Sequence, residues 1–389
     1  MELTQKQAEG LEIAVQRYND CEPYTCIAGY AGVGKSTLVK FIISALHLSQ
    51  SDVCYITYTG KASLVLKEKG CPNAMTAHRL LYKSFPKGDG TFYHIPRKGL
   101  KSLYKIIVLD EVSMLPKEMW ELLLSHKIHV IALGDPGQLP PIGEDNGILA
   151  QPHIFLDEIM RQAQESEIIK LTMDIRAGKP LQLFKGKEVQ IIDKKDVVDG
   201  MYLWADQIIC AKNDTRRRIN SIVRQYKHGV VDDEPINGDK VICLRNDWDN
   251  PSEAGDVMVN GMIGTLHNIK KKKPTKWLPN NISVDVLPDG YDETNSDDTL
   301  YFKNLTIDHK LITTGEPTVN SQNFRTFPKH SKPKEFDYGY CITAWKAQGS
   351  EYDKVLVFEE NFPFDKKEHI RYLYTAATRA KKRLIIVRA

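Results

Sequence analysis

No stretch of this sequence approaches 18 consecutive apolar residues, so a membrane-spanning helix is not expected. The opening Met-Glu-Leu-Thr-Gln-Lys holds no apolar core of the kind a secretory signal needs. No C-x-x-C pair occurs among the seven scattered cysteines, an odd number. That pattern predicts reduced thiols, a cytoplasmic setting and no zinc site. Charge of one sign is also scarce: 53 Lys and Arg against 50 Asp and Glu leave a net +3. A basic groove is compatible with that balance, but the total does not argue for nucleic acid. Internal repeats and long low-complexity segments are lacking too.

What is present is an ordinary globular composition, 42% hydrophobic and 26% charged, over 389 residues. That length supports two or three domains with proper cores. One stretch dominates. Residues 29–37 read Gly-Tyr-Ala-Gly-Val-Gly-Lys-Ser-Thr and fit G-x-x-x-x-G-K-[ST], the phosphate-binding P-loop. Glycines let the backbone curl so that successive N–H groups face phosphate oxygens. The helix that follows aims its positive end at the same anion. The residues predicted to cradle ATP are Gly29, Gly32, Val33, Gly34, Lys35, Ser36 and Thr37. Lys35 would reach the β- and γ-phosphates, and the Ser36 hydroxyl would ligate Mg²⁺. The alternative is a chance glycine-rich turn. The context argues against it: residues 24–28 suit a buried strand and 38–46 are apolar at helical spacing.

The first 160 residues alternate short apolar runs with helical patterns, as in a parallel α/β sheet. Strands are expected at 24–28, 53–57, 105–109 and 128–133. Residues 84–98 interrupt the pattern with Pro86, Gly88, Gly90 and Pro96 around Thr91-Phe92-Tyr93, and predict an inserted β-hairpin. A second α/β region begins near 155, with strands expected at 207–211, 354–358 and 383–387. Between about 239 and 336 the runs 240–244, 264–269, 282–287 and 300–307 are β-like and separated by polar turns. They predict a small inserted β-barrel. The charge runs at 270–273 and 289–298 are read as solvated loop surface.

Residues 105–111 end an apolar strand in two carboxylates, Asp110 and Glu111. A P-loop enzyme needs one acid there for Mg²⁺ and a base or water-positioning group for attack on the γ-phosphate. Asp110 would serve the metal and Glu111 the water. After the next apolar strand comes Leu-Gly-Asp-Pro-Gly-Gln-Leu-Pro-Pro-Ile-Gly at 133–143. Gln138 in that loop could hydrogen-bond the γ-phosphate or the attacking water. A rigid connecting loop is the competing reading, and residue chemistry leaves both open.

This ordered set resembles the superfamily 1 DNA helicases, in the branch of RecD and Dda. Leu3-Thr4-Gln5-Lys6-Gln7 resembles the Q-motif, with Gln7 as the adenine reader. Residues 29–37 are similar to motif I, 57–62 to motif Ia and Thr76-Ala-His78 to the next DNA-contact motif. Residues 110–114 resemble motif II, 134–141 motif III, 156–162 motif IV, 340–351 motif V and 374–380 motif VI. Residues 237–241 and 260–264 resemble segments leading into the family's SH3-like barrel. Tyr58 departs from the proline usual in motif Ia. Little lies outside this core, so nuclease or partner domains are not expected.

The resemblance implies an α/β fold with two RecA-like parallel-sheet domains. It places the first at 1–155 with its hairpin insert at about 84–98. The second comprises 156–238 and 337–389, with an SH3-like insert at 239–336. ATP and Mg²⁺ would sit between the two, with Arg161 and Arg379 reaching over from the second, and Gly349 and Glu351 adding to the nucleotide site. Single-stranded DNA would meet Thr59, Lys61, His78, Thr343 and Lys346. Phe92 or Tyr93 would serve as a pin splitting the duplex, or both would only brace the hairpin. The implied activity is an ATP-dependent DNA helicase moving 5′ to 3′, functional as a monomer. Its partners would be single-stranded and forked DNA and proteins of replication or recombination, with no membrane. The alternatives are a single-strand translocase or protein-displacing ATPase with little unwinding, and a slow nucleotide-regulated clamp. A P-loop small-molecule kinase fits worse, since it needs neither Arg161 nor a second α/β domain.

Overall fold

A computed structural model describes residues 3–86, 92–140, 146–159, 165–245, 247, 258–275, 280–289, 301–318, 333–361 and 365–389. The apolar runs of the first half are strands. In chain order they are β1 (Tyr24–Gly29), β2 (Val53–Thr57), β3 (Met75–Thr76), β4 (Tyr82–Pro86), β5 (Phe92–Pro96), β6 (Ile106–Leu109), β7 (His129–Gly134) and β8 (Ile154–Leu156). Six of them form one parallel sheet in the order β3-β2-β6-β7-β1-β8. Every residue of β6 and β7 is buried, as a parallel sheet covered on both faces requires. Alternation divides the side chains between two cores. Cys54, Ile56, Ile107 and Leu109 face Leu80, Trp120 and Leu123, while Val53, Ile106, Val108 and Ile131 face Leu38 and Ile42.

The remaining two strands, β4 and β5, pair antiparallel from Tyr82↔Pro96 to Pro86↔Phe92. The turn between them, at 87–91, lies outside the described residues.

The second half adds β9 (Phe184–Lys185), β10 (Val189–Asp193), β11 (Gln207–Cys210), β12 (Lys240–Cys243), β13 (Ile263–Lys271), β14 (Asn281–Pro288), β15 (Phe302–Asp308), β16 (Phe336–Tyr338), β17 (Cys341–Thr343), β18 (Tyr352–Phe358) and β19 (Ala380–Arg388). A second sheet runs β17-β11-β18-β19-β10-β9 and is parallel except for β9. A separate five-stranded sheet, β15-β14-β13-β12-β16, is antiparallel throughout. Its last strand reaches Tyr338, and only Gly339 and Tyr340 separate it from β17. A Cβ at Gly339 would lie 2.9 Å from the Val241 carbonyl carbon, so glycine permits that close turn.

The helix Asn213–His228 ties the two sheets together through buried charge. Arg224 pairs with Asp239 at 3.0 Å, both side chains fully enclosed, and Arg216 pairs with Asp337. The Tyr340 hydroxyl donates to Asp239 at 3.0 Å. Removing one member of such a pair strands a buried charge, so the junction is held rigidly. Leu139, from the loop after β7, is buried in the core of the second parallel sheet beside Tyr374 and Ala347. The two halves therefore share a packed seam.

Candidate nucleotide site in the cleft

The C-terminal ends of β1, β6 and β7 converge, where a parallel sheet places its ligands. β1 ends at Gly29, whose Cβ would meet the Leu156 carbonyl oxygen at 2.7 Å and Val33 Cγ2 at 2.8 Å. Gly32 and Gly34 are left-handed, with φ of 79° and 78°. The helix Lys35–Ala45 begins at Gly34 with no side chain capping its first amides. Those N–H groups are the donors a phosphate would take. Val33 is buried, Thr37 half-buried and Ser36 exposed at the first turn. Lys35 Nζ donates to the carbonyls of Gly29 at 2.7 Å and Tyr30 at 3.1 Å.

Gln7 is almost fully buried and both ends of its amide are engaged. Nε2 donates to Val33 O at 3.0 Å, and Oε1 accepts from Thr4 N at 3.1 Å as part of a helix-capping box. In this geometry it braces the P-loop.

Asp110 and Glu111 follow β6. Burial above all raises the Asp110 carboxyl above its ordinary range, against Lys35 and the Glu111 amide, which donates to Asp110 Oδ1 at 3.0 Å. Glu111 is raised first by burial and then by Asp110, while Arg379 and Lys35 oppose. Its backbone is left-handed at φ 55°, ψ 54°, a strained state for a non-glycine residue. Gln138 Nε2 donates to Glu111 Oε1 at 3.4 Å. The other end, Gln138 Oε1, is buried with no partner among the described residues. A buried acceptor without a donor is costly, and a water or phosphate-bound group at Glu111 would relieve it.

Arg379 comes from the second half and is 4% exposed. It donates to Thr375 O at 3.0 Å, Ser350 O at 3.3 Å and Thr378 Oγ1 at 3.0 Å, and its charge acts on Glu111. Gly349, left-handed at φ 70°, would place a Cβ 3.3 Å from Thr59 Oγ1. Glu351 pairs with Lys69 at 3.6 Å on the surface. The fold thus brings Lys35, Asp110, Glu111, Gln138 and Arg379 to one cleft. Arg161 lies outside the described residues.

The residues expected to meet DNA are more dispersed. Thr59 is the N-cap of the helix Gly60–Glu68, its hydroxyl accepting from Ala62 N at 3.3 Å. His78 stacks on Tyr82 with ring centroids 4.5 Å apart and meets His94 edge-on. Burial, with His94 adding, pushes His78 down to about 4, so it is neutral near pH 7. Thr343 stands half-buried at the start of the short helix Ala344–Ala347. Lys346 Nζ donates to Asn260 Oδ1, and burial lowers its pKa. The side chains of Lys61, Phe92 and Tyr93 lie outside the description.

The motif order, the two parallel sheets and the shared cleft agree with comparison to known proteins. Residues 2–200 match the AAA domain, and residues 338–387 match the UvrD-like helicase C-terminal domain. The chain belongs to the AAA domain family. Its C-terminal match adds a domain of the UvrD-like helicase type, in line with the motif resemblance. It is 25% identical to an uncharacterized protein of Methanocaldococcus jannaschii over 93% of this chain and 36% of that one. It is 24% identical to the ATP-dependent RecD2 DNA helicase of Deinococcus radiodurans over 92% of this chain and 46% of that one. The ATP-dependent DNA helicase Dda of Enterobacteria phage T4 is 28% identical over 46% of this chain and 43% of Dda. The chain spans less than half the length of these three relatives. A Pif1 helicase solved at forked DNA superposes with a TM-score of 0.53 at 17% identity, covering 99% of this chain and 92% of that one. That likeness shows the shared fold.

Sequence reasoning passed over four residues at this seam. Asp135, Gln348, Tyr374 and Thr375 make the cleft's cross-contacts. Each sat inside a motif already noted, but nothing local distinguishes a residue that bonds across the cleft from one that packs inside its own sheet.

Proposed function

We propose that the chain is an ATP-dependent DNA helicase that translocates 5′ to 3′ on single strands and separates duplex, driven by ATP hydrolysis in the cleft between the two parallel sheets. The observation that carries this is Gln138. Its buried, partnerless Oε1 and its bond to Glu111 meet beside the P-loop, with Arg379 reaching in from the other half. Such a set of groups suits the activation of an attacking water and the stabilisation of a transferring phosphoryl group.

Each residue has a role its environment supports. The P-loop amides and Lys35 bind phosphate. Glu111, raised by burial, is better matched to accept a proton from water than an exposed carboxylate would be. Gln138 orients that water. Arg379 meets negative charge as it develops. Mg²⁺ held by Ser36 and Asp110 would neutralise phosphate charge there. The DNA path would run past Thr59, Lys61, His78, Thr343 and Lys346 to a hairpin whose pin is Phe92 or Tyr93. With His78 neutral, its part would be stacking or hydrogen bonding instead of ion pairing with phosphate.

In domain terms we assign 1–155, with the hairpin at about 84–98, to the first RecA-like unit. The second is 156–238 with 337–389, and 239–336 is an SH3-like insert. The separate antiparallel sheet β15-β14-β13-β12-β16 supports the last of these. The 5′ to 3′ polarity rests on the motif resemblance alone. Single-stranded and forked DNA are the proposed partners, acting on a monomer. Among the described residues no helix is long and apolar enough to cross a membrane.

The test is ATP turnover with and without single-stranded DNA, followed by unwinding of 5′-tailed and 3′-tailed duplexes. Strong DNA stimulation and opening of the 5′-tailed substrate alone are expected. Stimulation without unwinding of either would favour a translocase. No stimulation would favour a clamp.

A further inference from the structure

One hydroxyl joins three of the segments that surround the nucleotide site. Tyr374 lies in the helix Lys366–Ala377 of the second half and is 1% exposed. Its oxygen accepts from the P-loop amide Ala31 N at 2.9 Å and donates to Asp135 Oδ2 at 2.7 Å. Asp135 Oδ1 in turn accepts from Gly137 N at 2.9 Å, which shapes the loop carrying Gln138. The ring passes so close to that loop that a Cβ at Gly137 would lie 2.9 Å from Tyr374 Cε1. The next residue, Thr375, accepts through Oγ1 from Leu139 N at 2.9 Å, and its carbonyl accepts from Arg379 Nε at 3.0 Å. The P-loop, the Gln138 loop and the arginine are therefore linked through two successive residues of one helix, the first two through side chains and the arginine through the Thr375 carbonyl.

The link sits where it can register phosphate. Ala31 is flanked by Tyr30, whose carbonyl holds Lys35 Nζ at 3.1 Å, and by Gly32 at the left-handed bend of the P-loop. Any movement of Lys35 and the P-loop onto phosphate changes the amide that Tyr374 holds. Any opening of the cleft withdraws the hydroxyl from both Ala31 and Asp135. A buried carboxylate and a half-buried amide would then each lose a partner, which favours all three segments moving together.

We propose that Tyr374 is a positioning residue for phosphoryl transfer: its hydroxyl sets Gln138, through Asp135, and Arg379, through its own helix, against the P-loop when the cleft is closed. This rests on the ATP-hydrolysis reading of the site. A residue of this kind is needed for the transition state more than for nucleotide binding, so its loss lowers kcat and leaves KM nearly unchanged.

The experiment uses the full chain with single-stranded DNA. It compares the natural protein with Tyr374→Phe, Asp135→Asn, the double variant and Lys35→Ala. Tyr374→Phe keeps the ring and removes one buried, charge-assisted bond, so kcat should fall about tenfold. KM for ATP and the Kd of ADP should stay within about twofold, since the groups that bind phosphate are untouched. Asp135→Asn should do the same, and the double variant should be no worse than the worse single, as expected of residues acting as a unit. If Tyr374→Phe does not fold, Asp135→Asn alone carries the test. An unchanged kcat in the folded variants, with Lys35→Ala inactive, overturns the role of Tyr374 and leaves the site reading intact. Equal losses in kcat, ADP affinity and melting temperature also overturn it, showing a merely structural bond. Turnover surviving in Lys35→Ala overturns the site reading itself.

Discussion

Gln348 Nε2 donates to the carbonyl of Leu139 at 2.7 Å, across 209 residues of chain, and both groups are buried. Gln348 follows the short helix after β17, and Leu139 follows Gln138. The bond fixes the edge of the second half against the loop that positions the partnerless Gln138 acceptor.

Gln348→Ala should loosen that edge without unfolding either sheet. A buried neutral hydrogen bond contributes about 1 kcal/mol, so DNA-stimulated kcat/KM should fall by less than about tenfold. Steady-state kinetics beside a thermal melt will read this, and an unchanged kcat/KM would mean the bond does not matter to turnover.

At the nucleotide site, Lys35→Ala removes the charge directed at phosphate, and Glu111→Gln removes the proton acceptor while keeping its shape. Both should abolish turnover. Glu111→Gln should still bind ATP and DNA, because the P-loop and Ser36 remain. Near-normal ATP hydrolysis in either would end the assignment.

Alanine at Arg379 or Arg161 should lower kcat by about 10³-fold if each acts as an arginine finger. DNA binding without nucleotide should change little. Arg379 also donates to Ser350 O and Thr375 O, so a melt must accompany it. A folded Arg379 variant losing less than about fivefold in kcat would reduce that arginine to a buried brace of Ser350 and Thr375, and the same result at Arg161 would make it an ordinary ion-pairing residue.

Variants in the hairpin test unwinding apart from translocation. Phe92 and Tyr93 are consecutive in β5, and of two successive strand residues only one is expected to meet DNA, with Phe92 favoured. Stacking on a base is worth about 1–3 kcal/mol. Phe92→Ala or Tyr93→Ala should slow strand separation on a fork while single-strand-stimulated ATP hydrolysis survives. Normal unwinding in both would reduce the pair to a brace, and a joint fall of both activities would put the hairpin on the translocation path.

His78 gives the fold a pH dependence. Burial holds it at about 4, well below the ordinary histidine value of about 6.5. Between those values the unfolded chain binds more protons than the folded one, so stability falls as pH drops from about 6.5 to about 4 and levels off below. His126, His129, His153 and His228 are lowered in the same direction. His78→Asn should therefore make the loss of melting temperature over that window shallower without removing it. An identical slope in the variant would show that His78 titrates normally.

The sequence by itself determined the features that live within a few consecutive residues. Short continuous apolar runs made β1, β2, β6 and β7 readable, since a strand covered on both faces is apolar throughout, and the carboxylates after β6 and the glutamine loop after β7 stood at strand tips. The P-loop was readable because its glycines, lysine and serine must be adjacent to curl around an anion. Shorter strands were not: β3, β8 and β17 have only two or three residues and are strands because a neighbouring strand offers a ladder. Only the tertiary structure turned Gln7 onto Val33, spent the Thr59 hydroxyl on a helix cap and lowered the His78 pKa by burying it beside His94. It alone set Tyr374 between Ala31 and Asp135. Those partners are settled by which surfaces meet when two sheets close on one another, and a contact spanning hundreds of residues leaves no periodic trace along the chain.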